Sequence, residues 1–265
     1  MAFARVNGMV VHYEDRGARN GRAIVFSNSL GTDFRLWDGV IARLPADLRI
    51  IRYDKRGHGL SEATPPPYRM TTLVEDLAAL LGRLQIEKIA VVGLSVGGMI
   101  AQGLAALRPD LVSALVLMDT AHKIGTTEGW NNRIETVRQS GMAAVADGIL
   151  AGWFTERYRN EVADFAGYRA MLLRNEIDGY TGVCAALRDA DLTESTRALR
   201  VPTLCITGEH DATASPALMR ATAGLIPGAR LEIIKNAGHI PCVERPEEVA
   251  GLIAGFLEEH FAAAA

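Results

Sequence analysis

Short runs of β-branched and aliphatic residues alternate with longer stretches of helical periodicity along most of this 265-residue chain. That rhythm constrains the fold more than any other feature. A short, β-branched and largely apolar run suits a buried strand, and strands of that kind lie parallel in a sheet, joined by crossover helices. The runs are Ala23–Ser27, Leu48–Tyr53, Ile89–Gly93, Ala114–Met118, Thr203–Thr207 and Arg230–Ile234. Val10–Glu14 alternates instead, after a turn at Asn7-Gly8, and reads as one strand of an N-terminal hairpin. Helical spacing predicts helices over Leu73–Leu84 and Met99–Leu107, and a last amphipathic helix from Pro246 to His260. The tail Ala262–Ala265 carries no signal.

The rhythm lapses once. Residues 121–197 contain no convincing buried strand, only helical patterns carrying many arginines and two tryptophans, Trp130 and Trp153. The expectation is therefore an α/β fold with a mostly parallel central sheet flanked by helices. Residues 1–120 and 198–265 form its core, and 121–197 a helical cap inserted after the sixth strand.

Composition excludes more than it selects. Apolar residues make up 49%, charged residues 22%, and the net charge is −3, so no basic field exists to attract nucleic acid or an anionic membrane. Cys184, Cys205 and Cys242 are odd in number and far apart, without CxxC or Cys/His spacing, so neither a disulfide framework nor a metal site is expected. Cys205 reads as a small core residue. No apolar stretch is long enough for a membrane span, and Met1–Asn7 lacks the pattern of a signal peptide, so a cytoplasmic location is expected. Oligomeric state is left open; a homo-oligomer is compatible with these numbers.

Chemistry concentrates in loops that follow strands. Gly93-Leu94-Ser95-Val96-Gly97-Gly98 directly follows one strand and directly precedes a helix. A serine presented on so sharp a turn needs strained backbone angles and neighbours almost free of side chain, which glycines supply. Its hydroxyl is a weak nucleophile and needs a base. Of the six histidines, His239 in Asn236-Ala237-Gly238-His239 follows the strand ending at Ile234, which brings it to the sheet edge that holds Ser95. His12 and His260 read as surface groups, and His210 as a flank of the site. Asp211, also after a strand, is the acid that would orient the His239 ring, with Asp119 as its rival. The order Ser, Asp, His, each after its own strand, is harder to obtain by chance than any one of them. The loop Phe26–Thr32 is placed to supply one N–H to an oxyanion, and Val96 at the start of its helix a second. Asp54–Ser61, with two glycines, reads as a demanding scaffold loop.

Together these segments resemble the α/β-hydrolase superfamily over nearly the whole chain: Tyr53-Asp54-Lys55-Arg56-Gly57-His58-Gly59-Leu60-Ser61, the serine elbow, Gly208-Glu209-His210-Asp211 and Asn236-Ala237-Gly238-His239. Asn28-Ser29 replaces the superfamily's usual His-Gly, which would leave Leu30 as the N–H donor. Asn28–Asp33, with Leu36-Trp37, is similar to the 3-oxoadipate enol-lactonases of the protocatechuate branch of bacterial aromatic degradation. Dehalogenases and epoxide hydrolases place aspartate at the elbow, so Ser95 argues against both.

That resemblance implies hydrolysis of a small carboxylate-bearing enol-lactone, as substrate, through an acyl-enzyme on Ser95, with no metal and no organic cofactor. The free carboxylate needs a partner, and the insertion is its natural source. Arg133 would pair with it, while Trp130 and Trp153 wall the pocket. A solvated helix face is the plain alternative for Arg133, and packing of the insertion is the plain alternative for Trp153. A generalist carboxylesterase or carbon–carbon bond hydrolase would share the triad. A non-catalytic ligand-binding protein on the fold would not need all three residues.

Overall fold

The structure, a computed structural model, describes residues 1–260; the alanine tail Ala262–Ala265 lies outside them. Eight strands form one sheet: β1 (Ala2–Val6), β2 (Met9–Arg16), β3 (Ala23–Ser27), β4 (Arg49–Tyr53), β5 (Ile89–Leu94), β6 (Val112–Met118), β7 (Thr203–Gly208) and β8 (Arg230–Ile234). Their order is β1-β2-β4-β3-β5-β6-β7-β8. β1 and β2 form the expected hairpin, with Val6 opposite Met9 and both Asn7 and Gly8 at positive φ, as a tight two-residue turn demands. β2 meets β4 antiparallel, and every later pairing is parallel. In β3, β4, β5 and β7 every residue is buried, which is why β3 and β5 read as apolar runs; the two buried arginines of β4 pair with Asp15 and Glu14.

β8 departs from expectation. It was expected to be buried, but only Ile234 is, and Ile233 remains 40% exposed. The reason is position: β8 is the sheet's last strand, and β-propensity does not distinguish an edge from a centre.

The helices are α1 (Asp38–Ile41), α2 (Met70–Arg83), α3 (Val96–Leu107), α4 (Thr127–Ser140), α5 (Ala143–Trp153), α6 (Glu156–Glu161), α7 (Phe165–Leu173), α8 (Ile177–Asp189), α9 (Thr193–Arg197), α10 (Pro216–Ala223), α11 (Pro241–Glu244) and α12 (Pro246–His260). Between β6 and β7 the described chain is helical throughout its regular structure, α4 to α9. Helix α8 is buried continuously from Gly179 to Leu187. It reaches the core glycine to glycine: a Cβ on Gly57 would lie 2.3 Å from the Gly179 Cα. The Asp54–Ser61 loop thus forms the seat on which α8 rests.

His12 also departs from expectation. It is 4% exposed, bonds Asp54 Oδ2 through Nδ1 at 2.7 Å, and stacks on Phe34 at 4.6 Å. The same Asp54 accepts the Phe34 and Leu60 N–H groups, so its carboxylate ties three segments together. His260 is surface-exposed, as expected. Among the described residues, no helix is long and apolar enough to cross a membrane.

Candidate active site

Ser95 sits between β5 and α3 with φ 58° and ψ −120°, a conformation costly for any residue with a Cβ. Its surroundings fix that strain in place. The Ser95 N–H donates to Met118 O at 2.9 Å, and its carbonyl accepts the Thr120 hydroxyl at 2.6 Å. A Cβ on Gly93 would lie 2.3 Å from Gly97 O, and one on Gly97 would lie 2.0 Å from Ser27 O. The motif's glycines therefore serve two contacts: closure of the elbow itself, and its approach to the end of β3. Helix α3 begins at Val96, whose N–H belongs to the unsatisfied first turn.

His239 lies between β8 and α11, and its Nδ1 stands 2.9 Å from Asp211 Oδ2, with both side chains essentially excluded from solvent. Asp211 Oδ1 accepts the N–H groups of Thr213 at 2.7 Å and Ala214 at 3.0 Å. Burial works to raise the Asp211 carboxyl, but the charge and ring hydrogen bond of His239 and the two N–H groups outweigh it and hold it below the usual range. An ionised carboxylate cannot donate, so Nδ1–H is the donor and Nε2 is left as the acceptor.

Asp119 follows β6 at φ 42°. Its Oδ1 accepts the Gly208 N–H at 2.8 Å, while Oδ2 is buried without a hydrogen-bond partner. Burial, and then the negative charge of Asp211, push its carboxyl well above the ordinary value. Asp119 is thus a buried acid that holds its proton more tightly than its neighbour Asp211. Asp119, Asp211 and His239 bring potential ligand atoms within 4.8 Å of one another. An acid that gives up its proton reluctantly and a carboxylate already filled with N–H donors make a poor cation site.

The loop after β3 carries Leu30, which is 7% exposed. The peptides on either side of it are gripped from outside the loop. Lys55 Nζ donates to Ser29 O at 2.6 Å, Gly31 N donates to His58 Nε2 at 3.0 Å, and Asn175 Nδ2 donates to Gly31 O at 2.8 Å. Burial pulls the Lys55 ammonium down to about 7 against the pull of Asp54 and Asp33. Burial, aided by the charge of Lys55, holds His58 well below its usual value, which suits a neutral ring accepting at Nε2.

Ser95, His239 and Leu30 line one small cavity of about 100 Å³, and Trp130, Arg133 and Trp153 line it with them. Arg133, on α4, donates to the Tyr180 hydroxyl at 3.3 Å and lies 6.0 Å from the Trp130 ring centre. The Trp130 indole N–H donates to Ile124 O at 2.7 Å, and Trp153 O accepts the Ile240 N–H at 3.2 Å. Of the eight residues that the sequence points to, six line this cavity; Asp211 stands behind His239, and Val96 follows Ser95 at the start of α3. His210 stays outside, with its ring exposed beside Glu209. Tyr180 was not foreseen. The one signal for it is that α8 is apolar or small for nine successive residues, Gly179 to Leu187, which marks a helix enclosed on all sides. Larger clefts, of about 670 and 640 Å³, lie elsewhere on the surface and do not contain Ser95.

Comparison with known proteins agrees with this fold. The sequence model of the alpha/beta hydrolase family matches residues 24–252. The chain is 32% identical to 3-oxoadipate enol-lactonase 2 of Acinetobacter baylyi over 240 residues, 90% of each chain, and 31% identical to that organism's 3-oxoadipate enol-lactonase 1 over 252 residues, 95% of this chain and 94% of the other. Among solved structures, it is similar to the enol-lactonase from Burkholderia xenovorans LB400 (38% identity, TM-score 0.94, 97% of this chain and 100% of that one). It is also similar to a thermophilic esterase from Thermogutta terrifontis (30% identity, TM-score 0.90, 97% and 96%). Matched over most of its length by the family's own sequence pattern, the chain belongs to the alpha/beta hydrolase family.

Proposed function

We propose that this protein hydrolyses 3-oxoadipate enol-lactone to 3-oxoadipate through an acyl-enzyme on Ser95. The observation that carries the reading is that a single small cavity holds Ser95, His239 and the guanidinium-bearing Arg133 together. A site with an acyl-transfer pair and a cation suits a compact ester that carries its own carboxylate. The likeness to enol-lactonases from two organisms supports the same substrate.

In this reading Ser95 Oγ attacks the ring carbonyl while His239 Nε2 takes its proton, and Asp211 steadies the imidazolium. The Leu30 and Val96 N–H groups receive the oxyanion; a single donor of this kind is typically worth about 2.7–4 kcal/mol. His239 then returns the proton to the departing enol oxygen and later activates water to cleave the Ser95 ester. In a lactone the leaving oxygen stays tethered, so ring closure competes at high effective concentration. Tautomerisation of the released enol to a ketone removes that nucleophile and commits the reaction. Arg133 pairs with the free carboxylate, and Trp130 and Trp153 wall the apolar part of the ring.

The test is steady-state hydrolysis of the enol-lactone beside a neutral ester of similar size. The expected result is a kcat/KM for the lactone well above that for the ester. Fast ester turnover with slow lactone turnover would instead identify a general carboxylesterase.

A further inference from the structure

We propose that Lys55 is a positioning residue for the oxyanion site: its ammonium, bonded to the Ser29 carbonyl, polarises and fixes the peptide whose N–H, that of Leu30, meets the developing oxyanion. The inference rests on the acyl-transfer reading above and adds to it a residue that the Ser-His-Asp logic does not use.

The argument starts from cost. Lys55 is 2% exposed and among the largest fully buried side chains of the protein. A buried ammonium is expensive: burial pulls the group down to about 7, and Asp54 and Asp33 offset only part of that cost. Its close hydrogen bond goes to a backbone carbonyl, at 2.6 Å. If holding the loop were the whole purpose, a neutral donor would serve. The next two peptides show as much: the Gly31 N–H is held by the His58 ring and the Gly31 carbonyl by the Asn175 amide, both uncharged. The one donor able to carry a positive charge stands at the carbonyl one peptide earlier.

That carbonyl has a particular partner. In a planar trans peptide the C=O of Ser29 and the N–H of Leu30 belong to one conjugated unit and point in opposite directions. A donor placed on the oxygen draws electron density through the amide and makes the N–H on the far side a stronger donor, the cooperative effect seen in hydrogen-bond chains. Ser29 O collects three donors: Lys55 Nζ, the Thr32 hydroxyl at 2.9 Å and the Thr32 N–H at 3.4 Å. The arrangement is complete before substrate arrives, which is what makes such a group effective on a charge that exists only in the transition state.

Two variants test this, Lys55→Met, which keeps the stem and removes the charge, and Lys55→Gln, which keeps a neutral donor if the Met variant does not fold. Each is measured for kcat and KM on the enol-lactone, for affinity toward a boronic acid that forms an anionic tetrahedral adduct with the active serine, and for affinity toward the product 3-oxoadipate, which forms no tetrahedral adduct. The expected result is a loss of about ten- to a hundredfold in kcat, matched by the same loss in boronate affinity, with KM and product affinity within about twofold of wild type. Unchanged kcat and boronate affinity in an active protein would overturn the inference and leave the serine mechanism intact. Parallel loss of product affinity would also overturn it, by showing general collapse of the site. A wild-type protein with neither lactone turnover nor a boronate adduct would overturn the mechanism itself, and this inference with it.

Discussion

The carboxylate of Glu244 accepts the Gly238 N–H at 2.6 Å on one oxygen, and on the other the Thr155 N–H at 3.1 Å and hydroxyl at 2.5 Å. One side chain thus joins the loop that carries His239 to the start of α6, in the helical segment between β6 and β7. The Ile240 N–H bond to Trp153 O reinforces the same seam. Glu244→Gln presents an amide NH₂ where one of these donors needs an acceptor. We expect it to cost about 1–3 kcal/mol of stability, read as a lower urea midpoint with unchanged slope, together with slower turnover.

The two acids near His239 should respond differently to the same change. Asp211→Asn removes the charge that selects the His239 tautomer and should lower kcat by about four orders of magnitude. Asp119→Asn keeps an acceptor for the Gly208 N–H and leaves the Asp211 bond to the His239 ring in place, so its kcat/KM should stay within about tenfold of wild type. Steady-state kinetics of the pair decides which acid serves the histidine. A larger loss at Asp119 would reverse the assignment.

Asp119 also predicts a pH effect on stability. Its carboxyl is raised above its unfolded value, so it contributes stability that is fully present below that value, near 3.9. As pH rises from there toward the folded value, the unfolded chain loses its proton first, and the contribution is lost. Replacing the group by asparagine should flatten the fall in Tm across this range, from about pH 4 upward. Scanning calorimetry at several pH values checks it; parallel Tm profiles for the two proteins would contradict it.

Arg133→Ala should raise KM for the enol-lactone by about ten- to a hundredfold and leave KM for a neutral ester nearly unchanged. The contrast between the two substrates is the informative quantity. Loss of the bond to Tyr180 alone would affect both alike.

Much of this was legible in the sequence, for reasons that can be named. Parallel strands such as β5 are buried on both faces and so spell themselves as apolar runs, and the Ser95 elbow needs glycines that chance seldom supplies in that setting. The burial of His12 was hidden because its partners Asp54 and Phe34 lie 42 and 22 residues away in sequence and meet it only across the sheet edge. The same holds for Lys55. Its loop reads as scaffold, and only the folded chain reveals that its ammonium ends on one chosen carbonyl, Ser29 O. Sequence placed groups at the right edge of the sheet, and tertiary contacts decided which of them touch.

The most direct test of the central claim is labelling of the wild-type protein with an aryl phosphonate, followed by intact-mass and peptide mass spectrometry, alongside Ser95→Ala. The account predicts one phosphonyl group per chain on the peptide containing Ser95, loss of lactone hydrolysis in step with labelling, and no label in the variant. Lactone hydrolysis that survives full labelling, or that persists in Ser95→Ala, would contradict it.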